Sequence, residues 1–436
     1  MCQFKQPVFQ YLIQTQMHPT SLHPDYIFYN GRIFNPVSQY LNLQTALAIH
    51  AEKIFAVGND SHILSLASPE TRKFDCRGNW ILPAFTDAHT HLCLYAARKL
   101  QVDLSGCASL NEALAVISEK VAVTPEGSWI RGGGWDKNSW GMENFPDKKY
   151  LDEISSRHFI ALDSKDWHTL WVNSAVLQLC HISAATVHPG GGKIVKNDRN
   201  GEPTGILLEN ARWIVYDKIP PVAVKQLSNV LIHSFPEFHR LGITAVHSME
   251  TPDDYCVYQK LRDEGKLGLR ISGYLPEKFL KEAKNLKSNP AYMNPFLKIC
   301  GIKIFADGTL GSQTADMLDN FTGTNQRGIA VHSEEELHHI VEESVKTGLS
   351  CAVHAIGDAA NRKVLDVFQE FDEQSRAAGL RHRIEHVQLL HPQDIPRFQQ
   401  LGVFASMQPI HLAADIPVIK KYWGERGKYA FAFRSL

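Results

Sequence analysis

Short apolar runs alternate with amphipathic, helix-like segments from Ile81 onward, and this alternation limits the possible folds more than any other feature of the sequence. Such a rhythm is typical of βα units, in which a helix follows each buried strand and packs on the sheet. The predicted strands are Ile81–Phe85, Phe159–Leu162, Thr244–His247, Leu269–Gly273, Ile299–Phe305, Ser350–Ala355, Arg383–Val387 and Val403–Met407. Helices are predicted between the later strands, at Glu334–Thr347, Ala359–Ala378 and Pro392–Leu401. The sequence therefore predicts an α/β fold built on a parallel sheet.

Two regions depart from this rhythm. Residues 26–80 carry short strands broken by turn residues, and the Asn30-Gly31 pair between two apolar runs predicts a hairpin. We expect a small antiparallel β unit there, preceded by an irregular N-terminal extension over residues 1–25. Between about residues 108 and 216, Gly- and Trp-rich sequence such as Arg131–Asp136 interrupts the βα pattern. We interpret this region as an insert over one face of a barrel that covers residues 81–436.

The composition excludes several classes of protein. Apolar residues make up 44% of the 436 residues, which is enough for a large core. The 45 Lys and Arg nearly balance the 46 Asp and Glu, so we expect neither a nucleic-acid nor a membrane partner. The eight Cys form no Cys-x-x-Cys pair, and no apolar run has the length of a bilayer span. These features favour a soluble, cytoplasmic protein with a small-molecule substrate, and a homo-oligomer is compatible with them.

His89 and His91 follow the first predicted barrel strand directly. In extended backbone, side chains two residues apart share a face, so both imidazoles project together and can bind one cation. Active sites of α/β barrels lie at the C-terminal ends of the strands, which is the position of this pair. Asp87 lies two residues earlier on the same face and is a candidate for orienting the histidines. Two polar residues at a strand end are the alternative interpretation.

Lys303 lies inside the apolar run Ile299–Phe305, where a charged amine is costly to bury. Burial lowers the pKa of a lysine and makes its neutral amine accessible. A neutral amine can react with carbon dioxide to give a carbamate, an anionic oxygen ligand that is able to bridge two metal ions. The alternative is a lysine that extends its amine from the strand end into water.

Two further predicted strands end in histidine, at His354 and at His386. A single histidine of this kind is more often structural than a ligand, but three such strand ends together with one buried lysine favour a metal centre. Imidazole nitrogens and a carboxylate-like oxygen suit zinc, and also nickel, manganese or iron. One or two such divalent ions are the predicted cofactor, because they would activate water for hydrolysis at neutral pH.

In this order, His89, His91, Lys303, His354 and His386 resemble the metal ligands of the amidohydrolase superfamily. The surrounding sequence is similar to its YtcJ-like branch, amidohydrolase family 3, which includes N-substituted formamide deformylases. The matching blocks are Ile81–Leu92, Gly132–Asp136, Trp171–Ser174, Gly201–Gly205, Leu241–Thr244, Lys303–Ser312, Val353–Asp358, Arg381–His386 and Ser406–Pro409. The resemblance implies a (β/α)₈ TIM-like barrel of the metal-dependent hydrolase type with a small N-terminal β-sandwich. It also implies a centre of one or two metal ions, zinc above all, with carbamylated Lys303 bridging the ions if two are bound.

The resemblance further implies substrate contacts near the metal centre. Trp135, Asp136 and His168 lie in blocks that cover the metal in this family, and Gln408 at a strand tip is a candidate polar contact. A packed turn around a buried indole is the alternative for Trp135 and Asp136.

One element of the family pattern does not occur in the sequence. The family has a last barrel strand that ends in Gly-Ser-Asp, whose Asp is the general acid and base. The sequence ends at Leu436 in the segment that would precede this strand. We therefore expect the acid/base Asp beyond residue 436, and a barrel that lacks its last strand together with the remaining sandwich strands. Asp307 and Asp358 are the nearest substitutes, but neither lies at the expected strand.

The predicted activity is the hydrolysis of an amide, an N-substituted formamide or another carbon–nitrogen bond by metal-activated water. Two alternatives stay open. One is a catalytically inactive, truncated remnant that still binds metal, and the other is an esterase or lactonase on the same metal centre. The sequence does not identify the substrate, because specificity in such barrels depends on loops and inserts.

Overall fold

The structure, a computed structural model, describes residues 23–34, 44–165, 169–189, 192–289, 293–311 and 313–436. The chain divides into two compact units, Met1–Phe85 and Thr86–Leu436. Most of the predicted N-terminal extension, residues 1–22, lies outside the described residues. None of the described helices has both the length and the apolar composition that crossing a bilayer requires.

The first unit consists of short strands and one short helix. Its elements are β1 (Tyr26–Tyr29), β2 (Arg32–Ile33), β3 (Ala46–His50), β4 (Lys53–Gly58), α1 (Asp60–Leu64), β5 (Arg72–Asp75) and β6 (Trp80–Ile81). Strands β4, β3, β1 and β5 form one sheet in that order, and β2 pairs with β6. Ile27, Ala46, Ala48 and Ile63 are buried together and form the apolar core of this unit.

The predicted hairpin at Asn30-Gly31 is wrong. Strand β1 pairs antiparallel with β3 and parallel with β5, whereas β2 pairs parallel with β6. Asn30 has φ 53°, and its side chain donates to Asp75 Oδ1 at 2.8 Å, so this turn leads from one sheet into the other. A hairpin joins β3 and β4 instead, through Ala51 and Glu52, whose positive φ values are those of a type I′ turn. The unit is therefore mixed and not purely antiparallel.

The second unit contains two sheets and the remaining helices. Its elements are β7 (Phe85–Thr90), α2 (Leu92–Lys99), β8 (Val102–Asp103), α3 (Leu110–Ala122), β9 (Trp129–Trp135), α4 (Lys148–Ile154), β10 (Phe159–Ser164), β11 (Thr169–Val172), α5 (Ser174–Leu179), β12 (Gly192–Lys196), β13 (Pro203–Glu209), α6 (Trp213–Tyr216), α7 (Val224–Arg240), β14 (Ile243–Met249), α8 (Pro252–Asp263), β15 (Arg270–Pro276), α9 (Leu280–Ser288), β16 (Leu297–Phe305), α10 (Glu334–Lys346), β17 (Ser350–Ala355), α11 (Asp358–Glu370), α12 (Asp372–Ala377), β18 (Arg383–His386), α13 (Ile395–Leu401), β19 (Phe404–Ser406) and α14 (Ile410–Tyr422). Short 3₁₀ turns lie at Asn210–Arg212, Glu277–Phe279 and Gly424–Tyr429.

A seven-stranded, barrel-like sheet is the centre of this unit. Its order is β19-β18-β17-β16-β15-β14-β7, and the pairs from β14 to β19 are parallel. Helices α7 to α13 connect the strands and cover an apolar core that includes Ile304, Val353 and Ile384 of the sheet. The predicted βα architecture and the three predicted helices of its second half are confirmed, with the middle one divided into α11 and α12.

The first predicted strand, Ile81–Phe85, is wrong. Strand β6 ends where this run begins, and β7 begins where it ends. Pro83 lies between them, and a proline has no N–H to donate to a strand ladder. As a consequence His89 lies inside β7, and His91 follows the strand immediately.

The insert forms a six-stranded sheet of its own, in the order β12-β13-β11-β10-β9-β8. The predicted barrel strand Phe159–Leu162 is β10 of this sheet, so its assignment to the barrel is wrong. One face packs Trp135 and Trp171 against α3 and α4, and the other packs Leu170 and Val172 against α5 and α6. Because both faces are covered, β10 has the continuous apolar run that is also typical of barrel strands.

An irregularity in β16 directs Lys303 away from the helices. Gly273 pairs with Ile299 and Tyr274 with Gly301, so Cys300 is an extra residue and forms a β-bulge. The bulge shifts the alternation of side chains by one position. Ile302 and Ile304 consequently join Ile299 in the core that the helices cover, and Lys303 lies on the opposite face of the strand, where it is 3% exposed.

Substitution of Gly301 tests this close packing. A Cβ at Gly301 would overlap the carbonyl oxygen of Ser350 and lie 2.8 Å from Tyr274 Cε1. We expect Gly301→Ala to lower the free energy of unfolding by about 1–3 kcal/mol, as is typical of overpacking in a core. Gly106→Ala is the matched control, because a Cβ there has no atom within 4 Å. Equal urea midpoints for the two variants would contradict this account of the bulge.

His382 is buried beside the start of β18. Its Nδ1 accepts a hydrogen bond from the backbone N–H of Cys351 at 3.0 Å, and its Nε2 lies 2.8 Å from Ser375 Oγ. The ring also stacks on Phe368, with the centroids 4.6 Å apart. Burial lowers the pKa of His382 from its ordinary value of 6.5 to about 4, although the charge of Asp372 opposes the shift.

His382 should make the stability of the protein depend on pH. Between pH 6.5 and 4 the unfolded chain binds a proton that the folded chain does not, so the contribution is complete above pH 6.5 and is lost as the pH falls to about 4. The loss should be about 3 kcal/mol on the usual conversion of pKa shifts. Urea titrations at several pH values should therefore show a smaller loss for His382→Gln than for the wild type. Parallel pH profiles for the two proteins would refute the assignment.

Candidate metal centre

Four histidines converge at the ends of three strands of the barrel-like sheet. His89 and His91 lie at the end of β7, His354 lies near the end of β17, and His386 ends β18. The ring centroids of His89 and His91 are 5.8 Å apart, those of His89 and His386 are 4.9 Å apart, and those of His354 and His386 are 4.5 Å apart. The structure therefore brings together all four histidines that the sequence singles out.

Three of these rings have one nitrogen held by a protein oxygen. His89 Nδ1 lies 2.6 Å from Glu385 Oε2, His91 Nδ1 donates to the carbonyl oxygen of Met249 at 2.6 Å, and His354 Nε2 donates to that of Gly308 at 2.9 Å. Such bonds fix the tautomer and the orientation of an imidazole and leave its other nitrogen available to a metal ion. His89 and His91 would thus offer Nε2, and His354 would offer Nδ1.

His386 differs from the other three. Its Nδ1 is buried and has no hydrogen-bond partner among the described residues. A buried polar atom without a partner is costly, so its position is best explained by a group that it can bind. Both His386 and Val387 have positive φ, of 75° and 47°, and this backbone is rare for a β-branched residue. Local strain of this kind is common at functional sites.

The end of β14 holds the segment that carries His91. The carbonyl group of Met249 binds the ring, and the buried carboxylate of Glu250 accepts hydrogen bonds from the backbone N–H groups of Cys93 and Leu94. These N–H groups lie in the first turn of α2, where they have no partner within the helix. A carboxylate also interacts favourably with the N-terminus of a helix. One strand end therefore fixes both the ring and the helix that follows it.

Lys303 lies within electrostatic reach of the histidines. It is 3% exposed, and burial lowers its pKa from 10.5 to about 8, with Glu385 opposing this shift and Arg383 adding to it. Its Nζ lies 4.9 Å from the centroid of the Phe305 ring, which is 5.3 Å from the His354 ring. The sequence-based expectation of a buried lysine is confirmed, and the alternative of an amine that extends into water is wrong.

Burial lowers the pKa of three of the histidines and so keeps them neutral. It lowers the pKa of His354 to about 4 and that of His386 to about 2, and the positive charge of Lys303 adds to both shifts. Burial also lowers the pKa of His91. A neutral imidazole is the form that binds a metal ion. The centre is therefore ready to bind a divalent ion at neutral pH without first losing protons from these rings.

Arg383 connects this centre to four strands. From β18 it donates hydrogen bonds to Glu385 on its own strand, to the carbonyl oxygen of Ala88 on β7, to His247 Nδ1 on β14, and to Ser406 Oγ on β19 at 2.9 Å. A guanidinium group has five N–H donors in one plane, which is why a single side chain can serve so many acceptors.

Glu385 is a buried anion. Its side chain is fully buried, which by itself would raise its pKa, but hydrogen bonds from His89 and Arg383 outweigh burial and lower the pKa to about 2. The carboxylate is thus charged at neutral pH and accepts from His89, an arrangement in which a carboxylate orients a metal-binding histidine.

Sequence reasoning did not find the partner of His89. Asp87 was the candidate for orienting the histidines, but its Oδ1 accepts from the backbone N–H of His89 at 3.1 Å, and Glu385 holds the ring. His247 and Arg383 also received no role from the sequence. The available indication was the pair of charged residues Arg383 and Glu385, which lie on one face of β18 on either side of Ile384.

Asp307 and Asp358 have structural partners. The carboxylate of Asp307 accepts from the backbone N–H groups of Ile356, Gly357 and Asp316, at distances of 2.8 to 3.3 Å. Asp358 Oδ1 accepts from the backbone N–H of Leu318 at 2.9 Å. Both carboxylates hold the loop after β16 in place, and neither occupies the strand end expected for the acid/base residue.

The substrate candidates of the insert lie beside a cavity. Trp135 is 1% exposed, its indole N–H donates to the carbonyl oxygen of Leu162 at 2.8 Å, and it packs against Trp140 and Trp171. Asp136 follows it in a turn and lines a cavity of about 460 Å³. The packing of Trp135 fits the alternative of a buried indole beneath a turn, and leaves Asp136 as the more accessible of the two residues.

Gln408 and His168 are the two other candidates for contacts with a substrate. Gln408 donates from Nε2 to the carbonyl oxygen of Ser406 at 2.7 Å, and its Oε1 is buried without a partner among the described residues. It lies three residues before His411, whose ring is 6.0 Å from that of His386. His168 lies outside the described residues.

Spacing alone would point to a different place for a metal ion. Within the described part of the chain, one group of histidine and acidic side chains has all its ligand atoms within 4.8 Å, namely His339, Glu342 and Glu343 on α10. His339 is exposed, however, and exposed acidic groups of this kind are common without an ion. The barrel histidines are less tightly spaced, but their held rings and the buried Nδ1 of His386 make them the stronger candidate.

Several known proteins are similar to this chain in sequence. A protein-family model described as "Amidohydrolase family" matches residues 72–436. "Protein LONG AFTER FAR-RED 3" of Arabidopsis thaliana is 31% identical and covers 96% of this chain and 74% of its own. "Putative amidohydrolase YtcJ" of Bacillus subtilis (strain 168) is 31% identical over 85% and 70% of the two chains. The "N-substituted formamide deformylase" of Arthrobacter pascens is 28% identical over 84% and 69%.

A solved structure has the same fold. The crystal structure of an uncharacterized metal-dependent hydrolase from Pyrococcus furiosus is similar with a TM-score of 0.78 and 27% identity, over 94% of this chain and 82% of the other.

Removal of Arg383 should destabilise the whole barrel. We expect Arg383→Met to lower the free energy of unfolding by about 3–5 kcal/mol, because it leaves Glu385 as a buried charge without its partner. The double variant Arg383→Met, Glu385→Leu should recover part of this loss, since it also removes the carboxylate that lost its guanidinium partner. Urea denaturation measures both variants. A single variant as stable as the wild type would contradict the role of Arg383, and so would a double variant less stable than the single one.

Proposed function

The chain belongs to the amidohydrolase family, and we propose that it is a metal-dependent hydrolase that cleaves the carbon–nitrogen bond of an amide or an N-substituted formamide. One observation carries this proposal: four histidines converge at the strand ends next to buried Lys303, and three of them have one ring nitrogen fixed by a protein oxygen. Similarity to the N-substituted formamide deformylase of Arthrobacter pascens supports the choice of an N-substituted formamide.

The ligands that we propose are His89, His91, His354 and His386, together with Lys303. Their donor set suits zinc, with one or two ions. When bound there, zinc supplies Lewis-acid polarisation of a carbonyl group and lowers the pKa of water. Lys303 serves as a ligand once its neutral amine has added to carbon dioxide and lost a proton, because the resulting carbamate carries the anionic oxygens that an ammonium lacks. Its burial favours the neutral amine that this addition needs.

The surrounding residues keep the ligands in position. Glu385 holds the ring of His89, and Arg383 holds Glu385 while it keeps the carboxylate ionised. The carbonyl groups of Met249 and Gly308 hold His91 and His354 in the same way. These contacts preorganise the centre, so that little reorganisation is needed when an ion or a substrate arrives.

We assign substrate recognition to residues of the insert and of the tip of β19. We propose that Asp136 and the neighbouring cavity contact the group on nitrogen, that Gln408 offers a polar contact, and that Trp135 forms the packed base of the site. The cavity of about 460 Å³ lies within the range that small-molecule sites occupy. His168 stays a proposed contact from the family pattern.

Activity assays with variants of the ligands test this proposal. We expect zinc-loaded protein to hydrolyse an N-benzylformamide, and His89→Ala, His354→Ala and Lys303→Ala to abolish turnover because each removes a ligand. Glu385→Gln should lower zinc affinity or activity by about 10- to 100-fold, the usual cost of losing the partner of a ligating histidine. His339→Ala, which alters an exposed histidine on α10, is the matched control and should retain full activity.

Three outcomes would contradict the proposal. Full activity in all three ligand variants would exclude a metal centre at these residues. Hydrolysis of an aryl ester without any hydrolysis of the formamide or a simple amide would favour the esterase or lactonase alternative. A folded, zinc-loaded protein that hydrolyses none of these substrates would favour a non-catalytic metal-binding protein.

A further inference from the structure

A second cavity lies in the insert, where the chain returns to the barrel. It has a volume of about 370 Å³ and is lined by Arg131, Asp163, Arg212, Trp213, Tyr216 and residues 219–222. Val222 at its edge also packs against the core of the barrel. None of the lining residues belongs to the candidate metal centre, so any ligand of this cavity would be bound independently of the proposed hydrolysis.

Arg131 provides the donors of this cavity. It lies on β9 opposite Ala161 of β10, and Asp163 lies two residues further along β10, so the side chains of Arg131 and Asp163 share one face of the sheet. Arg131 is partly buried and interacts electrostatically with Asp163, but its guanidinium group donates no hydrogen bond to any described residue. A guanidinium group without an acceptor can offer its N–H donors to an anionic ligand.

The carboxylate of Asp163 already accepts a hydrogen bond, so the cavity has more hydrogen-bond donors than free acceptors. Asp163 is 4% exposed, and its carboxylate accepts a hydrogen bond from the Tyr216 hydroxyl. Arg212 donates in turn to that hydroxyl at 3.3 Å and lies 5.7 Å above the Tyr216 ring. The carboxylate of Asp163 is thus bonded to Tyr216, whereas the N–H groups of Arg131 are available to a ligand.

Part of the wall of this cavity is apolar. Trp213 is 56% exposed and meets the Tyr216 ring edge-on, with the centroids 5.4 Å apart. Pro220 and Pro221 extend this wall. A large indole that stays exposed at the mouth of a cavity provides contact area for a planar group, because aromatic rings stack on or meet each other edge-on.

We infer that this cavity binds a small carboxylate attached to a planar apolar group, an aromatic or heteroaromatic monocarboxylate. Its carboxylate pairs with Arg131, because a guanidinium group matches the two oxygens of a carboxylate. Its planar group lies against Trp213 and the two prolines. The volume of the cavity falls within the range of small-molecule sites.

Calorimetric titration of the whole protein tests this inference with three probes. Benzoate carries both the charge and the ring, benzamide keeps the ring without the charge, and acetate keeps the charge without the ring. We expect benzoate to bind about 10- to 100-fold more tightly than either of the others, the range that a charge-assisted hydrogen bond gives. Equal binding of benzoate and benzamide would overturn the role of Arg131, and equal binding of benzoate and acetate would overturn the role of the planar wall.

Variants locate the binding in this cavity. Arg131→Gln and Trp213→Ala should each weaken benzoate binding at least about tenfold, given the strength of the contacts that they remove. Arg199→Gln, in an exposed turn of the same insert, and His89→Ala, in the metal centre, should leave it unchanged. Benzoate binding that persists in both cavity variants, or that disappears in His89→Ala, would overturn the inference, the second case because the carboxylate would then be bound at the metal centre.

Discussion

The buried pair of Arg383 and Glu385 connects parts of the barrel that are far apart in the sheet. Strands β19 and β7 stand at the two ends of the strand order, and the guanidinium group of Arg383 donates to Ser406 of the first and to Ala88 of the second. Its counterion Glu385 holds His89 at the same time. The interaction that joins these strands therefore also sets the orientation of the His89 ring, a proposed metal ligand, so that the fold and the candidate centre depend on the same two side chains.

Two backbone irregularities position side chains of the candidate metal centre. The β-bulge at Cys300 moves Lys303 to the face that the helices do not cover, and the left-handed backbone of His386 accompanies a buried ring nitrogen that has no partner in the described part of the chain. Regular strands would keep strict alternation and would lack the left-handed backbone. Bulges and strained residues are frequent next to active sites for this reason, since they redirect single side chains while the surrounding sheet absorbs the cost.

The sequence was informative about residues whose type and position at a strand end together indicate a role in the candidate site. His89, His91, His354 and His386 could be found in this way, because few other reasons place histidine after several buried strands. It was not informative where partners are distant: His89 and Glu385 are separated by 296 residues, and neither local pattern nor composition links them. Strand β10 was assigned to the wrong sheet because strands that are covered on both faces have the same apolar pattern in either sheet. The hairpin predicted at Asn30 was wrong because the Asn30 side chain bonds to Asp75 in a turn that leads from one sheet into the other.

A crystal structure of the zinc-loaded protein, with anomalous diffraction measured at the zinc absorption edge, would show directly which residues bind the metal. We expect an anomalous peak bonded to His89 and His91, with Lys303, His354 and His386 around it, and additional density on Lys303 Nζ if two ions are present. A peak confined to His339, Glu342 and Glu343 on α10, with the barrel histidines binding no ion, would contradict this expectation.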